Sequence, residues 1–470
     1  MMTSIESLGF SRFRLGQSVG EEEIVKILED GHTRKGGVLD FSGADLSKES
    51  AMFIADVITS RSLGSIFTHV DLSSTGIRFE ALAALVDCSL TNLRQMTLRN
   101  NSLPAEAAKA VTTLLSSEGC LEDLNLSGNK LGDVGVTNIS SAFYFDMRIM
   151  GDTTQTISLL SLITLDLSSN GLGDVSVLAL CRGLLGFARQ IANSSLHPNL
   201  RVLKLNSNSL GNNAGLCLAQ MLQSCHKLAN YRVDSEDEKD EGRKHGGGFL
   251  QLYELEVNDN LIGEEGLAAL ILGVQDCQHK SLRSLRMSNN KPTLRVVDQI
   301  GKMFSVDTAL RVLEMDFPTA AAVKAVRDQK FSTVISNLAK AFHSRGKTSV
   351  FTEISLGQLH CVAQQAVLDT QAISFSDREK LEEALDDLQS FGRVIKIAPP
   401  VSLLRTGAEI FSTGQSEIHK KTIVPSTPNP FEVEDQFDFI IDTLEEVLMD
   451  DNLRPGKDIK IRNTLFEFEA

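Results

Sequence analysis

The amino-acid sequence predicts an α/β solenoid, a curved array of strand–helix units, from three observations. The pattern Leu-x-x-Leu-x-Leu-x-x-Asn-x-Leu recurs along most of the chain. The recurrences fall near a common period. Each full copy is followed by an apolar pattern that starts at helical spacing. One strand and one helix cannot bury their apolar sides alone, so such units stack and share a continuous core.

The copies run in order. VLDFSGADL comes first, with Ala44 at the asparagine position. FTHVDLSSTGI (from Phe67), LRQMTLRNNSL (Leu93), LEDLNLSGNKL (Leu121) and LITLDLSSNGL (Leu162) follow. Then come LRVLKLNSNSL (Leu200), LYELEVNDNLI (Leu252), LRSLRMSNNKP (Leu282) and a worn LRVLEMDFPTA (Leu310). A last degenerate copy, FTEISLGQLHC, starts at Phe351. The asparagine positions are Ala44, Thr75, Asn101, Asn129, Asn170, Asn208, Asn260 and Asn290, separated by 31, 26, 28, 41, 38, 52 and 30 residues. A unit near 28 therefore persists, with insertions near 144–156, 188–197 and 230–248. The third holds DSEDEKDEG, six acids against one Lys, then Gly246–Gly247–Gly248, and reads as a solvated loop.

Within a unit, strand side chains alternate, so the second and third leucines point to the core and the residue between them faces solvent. The Asn side chain can satisfy backbone groups of the turn that leaves the strand. Helical starts of the form Leu-Gly-x-x-Gly/Ala follow at Leu131, Leu210 and Ile262. Leu216, Ala219 and Leu222 keep helical spacing in one of them, and Leu267, Leu270 and Ile271 in another.

These copies resemble the ribonuclease-inhibitor class of leucine-rich repeats over roughly Gly37 to Pro318. The resemblance implies a leucine-rich repeat solenoid of horseshoe form, strands on the concave face and helices outside, in an intracellular protein. Residues 1–36 are expected to form an N-terminal cap, with a helix over Glu21–Asp30 carrying Ile24, Ile27 and Leu28 on one side. Residues 37–318 form the repeat solenoid. Residues 319–397 read as a C-terminal helical cap with room for one more degenerate repeat. There Val323, Val326, Val334, Leu338 and Phe342 keep helical spacing, and Ser376 to Glu379 makes a capping box. Residues 398–470 read as a Pro-rich flexible linker and an acidic amphipathic helix. Its stripe includes Phe437, Ile441 and Leu444, and nine acids lie between Glu432 and Asp451.

Composition narrows the function. Lys plus Arg is 46 against 61 for Asp plus Glu, a net charge of −15, which argues against nucleic-acid binding. The absence of Trp, with only three Tyr, argues the same way. No run is long and apolar enough to span a membrane. Arg12 and Arg14 stand where the apolar core of a secretory signal would lie. Seven scattered cysteines, odd in number, fit reduced thiols in a cytoplasmic or nuclear protein.

The catalytic and metal-binding patterns sought are not matched. Cys225–His226, Cys277 with His279, and His360–Cys361 lack a second pair at finger spacing. Lys239 occupies the position where a calcium loop starting at Asp234 needs Gly. Gly346-Lys347-Thr348 lacks the first Gly of a phosphate loop, Ala341 standing there. No cofactor is expected, and the chain is read as a non-enzyme.

The main candidate surface is the concave face. Its expected partner-binding residues are Asp71, Thr97, Arg99, Asn125, Asp166, Lys204, Glu256 and Arg286, acidic and small at first and more basic later, where Arg201, Arg283 and Arg311 add charge. Phe437, Ile441 and Leu444 of the tail helix are the second candidate. The reading is a non-catalytic protein–protein interaction scaffold or adaptor. Two alternatives stand beside it. Ran GTPase activators resemble the array in repeat class and acidity, which would give Arg78, or less well Arg99, the role of an essential arginine. A cytoskeletal or ciliary regulator is the other, on fold analogy. Asn429-Pro430-Phe431 resembles the peptide that EH domains of endocytic adaptors bind.

Overall fold

The structure is a computed structural model. It describes residues 17–18, 20–33, 37–88, 90–117, 119–144, 158–192, 199–231, 251–276, 281–304, 309–345, 353–357, 359, 363 and 378–384. All belong to the first of two units, residues 1–407. The tail of 398–470, with its expected helix, lies outside the described residues.

Ten strands form one parallel sheet in strict chain order. They are Val38–Asp40, His69–Asp71, Gln95–Thr97, Asp123–Asn125, Thr164–Asp166, Val202–Lys204, Glu254–Glu256, Ser284–Arg286, Val312–Phe317 and Glu353–Gly357. The copy at Phe351 thus supplies the tenth strand, which pairs with Val312–Phe317. Between strands the chain returns through helices, among them Lys48–Ser60, Phe79–Val86, Ala108–Ser116, Gly132–Ser140 and Glu264–Asp276. The chain is a leucine-rich repeat solenoid of alternating strands and helices.

The core is built as the leucine spacing requires. Leu124 and Leu126, Leu165 and Leu167, Leu203 and Leu205, and Leu255 and Val257 are buried, while the residues between them are partly exposed. Fully burying one such side chain is worth about 1.5–3 kcal/mol. On the helix side, Leu180 and Leu184, Leu218 and Met221, and Leu267 and Leu270 close the same core.

The first helix runs Glu21–Thr33, three residues beyond the expected Asp30, and buries Ile24 and Leu28. The insertion read at 188–197 begins inside a helix, since Asp174–Ala192 reaches into it. Similarly, Asn212–Tyr231 runs to the start of the third insertion. Spacing between copies counts extra residues without saying whether they lengthen a helix or a loop. After the ninth strand, helices Thr319–Val326 and Phe331–Arg345 precede the tenth. Residues 378–384 are helical and bury Leu381 and Ala384, while Ser376 lies outside the described residues.

The asparagine ladder joins consecutive repeats. Asn208 Oδ1 accepts the N–H groups of Asn170 (2.9 Å) and Leu172 (3.1 Å) from the repeat before. Its Nδ2 donates to Leu167 O across the same boundary and to Leu205 O in its own repeat. Asn101, Asn129, Asn170, Asn260 and Asn290 bond in the same direction. The side chain therefore satisfies donors and acceptors that would otherwise be buried and unpaired.

Each turn that presents the ladder needs a left-handed residue immediately before it. Ser74, Asn100, Ser169, Ser207, Asp259 and Asn289 have φ of 54–58°. Small polar residues that bond locally tolerate that region best. Gly128 fills the same place before Asn129, and a Cβ there would meet Asn100 Oδ1 at 2.0 Å. The ladder ends where proline takes over. Pro318 holds the position after Asn290, and Pro292 stands where Leu172 and Leu210 donate their N–H.

Candidate functional site

Strand register places the expected residues in one line. Asp40, Asp71, Thr97, Asn125, Asp166, Lys204, Glu256, Arg286, Glu314 and Ser355 are consecutive partners across the sheet. Neighbouring strands lie about 4.8 Å apart, so this is an unbroken column of side chains on the sheet's open face. Arg99 is exposed in the flanking column, two residues past Thr97. Arg78 lies outside these columns, exposed at the N-cap of Phe79–Val86 with no capping bond from its side chain. Phe437, Ile441, Leu444 and the triplet Asn429, Pro430 and Phe431 lie outside the described residues.

The column changes chemistry part of the way along. In the early repeats the mid-strand side chain caps its own strand exit. Asp40 Oδ1 accepts the Ser42 N–H at 2.9 Å, and Asp71 accepts Ser73 N–H at 2.8 Å. Asn125 and Asp166 do the same for Ser127 and Ser168, each at 2.9 Å. Those acids answer a local backbone demand as well as giving the face its charge.

From Ser168 onward the exit donors are satisfied from the previous repeat instead. Ser168 Oγ accepts the Asn206 N–H at 3.2 Å, Asn206 Oδ1 the Asn258 N–H at 2.8 Å, and Asn258 Oδ1 the Ser288 N–H at 2.8 Å. Ser288 Oγ accepts the Asp316 N–H at 3.1 Å, and Ser355 Oγ donates to Asp316. This second polar ladder releases the mid-strand side chains to pair with one another.

They form an ion network. Lys204 Nζ lies 3.4 Å from Glu256 Oε1, and Arg286 reaches Glu314 at 2.9 Å and Glu254 at 3.3 Å. Asn206 Nδ2 donates to Glu256 Oε2 at 2.6 Å. Burial pushes the Glu254 carboxyl above its ordinary value, and the adjacent Glu256 adds to the shift. Burial pushes Glu256 upward as well, but the Asn206 amide, Glu254 and Lys204 outweigh it and hold that carboxyl below its ordinary value.

The expected drift toward positive charge is corrected here. On the strands from Val202 to Phe317, the face presents Glu254, Glu256, Glu314 and Asp316 against Lys204 and Arg286. Both bases are paired within the network. Arg201, Arg283 and Arg311 instead lie at the strand-entry edge, where each N–H bonds the repeat before. The ion pairs were not visible in the sequence, because they depend on register across insertions. Among the described residues, no group of three or more His, Cys, Asp or Glu could hold a metal ion. No helix of these residues is long and apolar enough to cross a membrane.

Comparisons with known proteins agree with the repeat. A family model described as Leucine Rich repeat matches residues 120–140 and 158–181. Porcine (Sus scrofa) ribonuclease inhibitor is 26% identical over 264 residues, 52% of this chain and 50% of that protein. Tonsoku-like protein of Mus musculus is 28% identical over 190 residues, 39% of this chain and 12% of that protein. Human (Homo sapiens) NACHT, LRR and PYD domains-containing protein 12 is 29% identical over 196 residues, 37% of this chain and 17% of that protein. The chain thus matches half or less of the length of each of these relatives. With the repeat pattern, the ten-stranded parallel sheet and these likenesses together, the chain is a ribonuclease-inhibitor-like leucine-rich repeat protein.

Proposed function

We propose that the chain is a non-catalytic protein–protein interaction scaffold that holds a partner protein on the open strand face. The observation that carries this reading is the register, which lines up Asp71, Thr97, Asn125, Asp166, Lys204, Glu256 and Arg286 on that face, with Arg99 in the flanking column. Leucine-rich repeat proteins act as protein-interaction scaffolds, and the matched relatives are proteins of this kind. Two features favour binding over chemistry. The face is polar and spread over many repeats rather than gathered around one reacting point. Its side chains are also held by ladder and ion-pair bonds, so little order remains to be lost when a partner docks. Stable protein interfaces bury roughly 1,200–2,000 Å², which a surface of several strands and flanking turns can supply.

The test is capture of cross-linked partners by the full chain and by Thr97→Arg and Arg99→Glu variants. Thr97 and Arg99 are chosen because the exit-capping bonds at Asp71 and Asn125 do not involve their side chains. Loss of a discrete partner, with the melting temperature unchanged, is the expected result. An identical partner set from all three chains would place binding elsewhere and overturn the reading.

A further inference from the structure

The strand-entry edge carries a row of a different character. Arg201, Tyr253, Arg283 and Arg311 occupy the same place in four consecutive repeats. Tyr253 N–H donates to Arg201 O at 2.7 Å, Arg283 N–H to Tyr253 O at 2.8 Å, and Arg311 N–H to Arg283 O at 2.7 Å. In-register neighbours recur about every 4.8 Å, so the backbones of three arginines fall within roughly 15 Å along one edge. Earlier along the edge the same place holds Arg94, Glu122 and Ile163.

The first member of the row is preorganised. The Arg201 guanidinium lies 4.5 Å above the centre of the Tyr253 ring. That contact fixes its plane without using up its in-plane donors. Arg201 Nη1 is buried and has no hydrogen-bond partner among the described residues. Tyr253 is 36% exposed and Arg311 is exposed, so the row opens to solvent. Guanidinium forks match carboxylates two bonds at a time, and arginines recurring at strand spacing suit an extended segment that carries several carboxylates.

We propose that this row docks an extended Asp/Glu-rich segment of a protein partner, lying across the strand entries of the sixth to ninth repeats. This rests on the scaffold reading and adds the charge class of the partner. The acidic strand face beside the row sets a limit on length and charge. It repels a long polyanion such as nucleic acid, yet leaves room for a short run of carboxylates held at the edge.

The experiment measures fluorescence anisotropy of a labelled twelve-residue Glu/Ser peptide with the full chain. The Gln/Ser counterpart and a phosphoserine peptide are run beside it. The Glu peptide should bind, weaken as salt is raised, and lose about tenfold or more in affinity with Arg283→Glu or Arg311→Glu. Lys109→Glu makes the same charge change at an exposed position of the helix Ala108–Ser116 and should leave binding unaltered. Arg283→Gln, checked for native circular dichroism, should weaken binding without charge reversal.

Equal binding of the Glu and Gln peptides, or wild-type affinity in the row variants, would overturn the proposal. So would binding of the phosphopeptide alone. Binding that appears only after residues 234–241 are deleted would assign the arginines to the chain's own acid run instead. Partner capture sensitive to Thr97→Arg, with no peptide binding, would leave the scaffold reading standing and the row refuted. Peptide binding without such capture would do the reverse.

Discussion

Asn206 donates its amide to Glu256 Oε2 at 2.6 Å while its own Oδ1 accepts the Asn258 N–H at 2.8 Å. The two bonds join repeats that lie 50 or more residues apart in sequence, across the longest insertion. The strand face thus stays continuous wherever a ladder side chain satisfies the repeat beside it, however long the intervening connection.

Asn208→Ala should be among the most damaging single changes in the ladder. It strands the N–H groups of Asn170 and Leu172 and the carbonyls of Leu167 and Leu205. The expected loss is about 2–4 kcal/mol, read from urea denaturation. Because stability in a repeat array is largely nearest-neighbour, the transition should also broaden as the two halves uncouple. A loss below about 0.5 kcal/mol would show that water replaces the amide at little cost.

Glu254→Gln should stabilise the protein at neutral pH. A carboxyl whose folded value is raised gives a contribution that is present below its unfolded value and lost as pH rises through the folded one. At pH 7 the wild type therefore carries a penalised charge, and at pH 3 both side chains are neutral. The gain is below about 1 kcal/mol, because Glu254 is only half-buried and gives up its contact with Arg286. Melting temperatures of both proteins across pH 3–8 should converge at the acid end. A constant offset would remove burial of the charge as the cause.

Gly215→Ala sets two effects against each other. Alanine in a helix interior gains about 1 kcal/mol in propensity over glycine. However, a Cβ at Gly215 would meet Gly266 Cα at 2.7 Å, where two helices touch through backbone. Overpacking costs about 1–3 kcal/mol, so the net change is a destabilisation. A raised melting temperature would mean that the two helices separate easily.

Cys217 is buried, and burial, reinforced by the Asp174 charge, lifts its thiol to about 11. The thiolate is the reactive form. Cys217 should therefore resist alkylation at pH 8 until the protein opens, while the more exposed Cys120 reacts first. Peptide mapping of a timed iodoacetamide reaction separates the two, and equal rates would refute the burial.

The repeat boundaries and the inward leucines were legible because side-chain direction in a strand has a period of two and the copies differ little. The asparagines were legible as turn residues, but not the direction of their bonds, which reach back to the preceding repeat. Left-handed Ser74, Ser169, Ser207 and Asp259 left a trace, since every ladder position follows a Gly, Ser, Asn or Asp. The ion network left none. Lys204 and Glu256 stand 52 residues apart, and only alignment of Asn208 with Asn260 brings them side by side. Expected basicity of the later strand face failed for that reason, as composition counts charges without pairing them.

The two prolines at the end of the ladder bear on how such an array can grow. A duplicated unit inserted anywhere between Asn101 and Asn290 would bring one new acceptor and one new pair of donors, and every seam would close. Beyond Pro318 the same duplication would meet a seam with nothing to accept and, at Pro292, one donor fewer to offer. The asparagine ladder is therefore open to extension from within and interrupted at Pro318, past which the tenth strand joins through its backbone pairing and the Ser355–Asp316 bond. The fold thus fixes where new repeats can be gained before any partner selects among them.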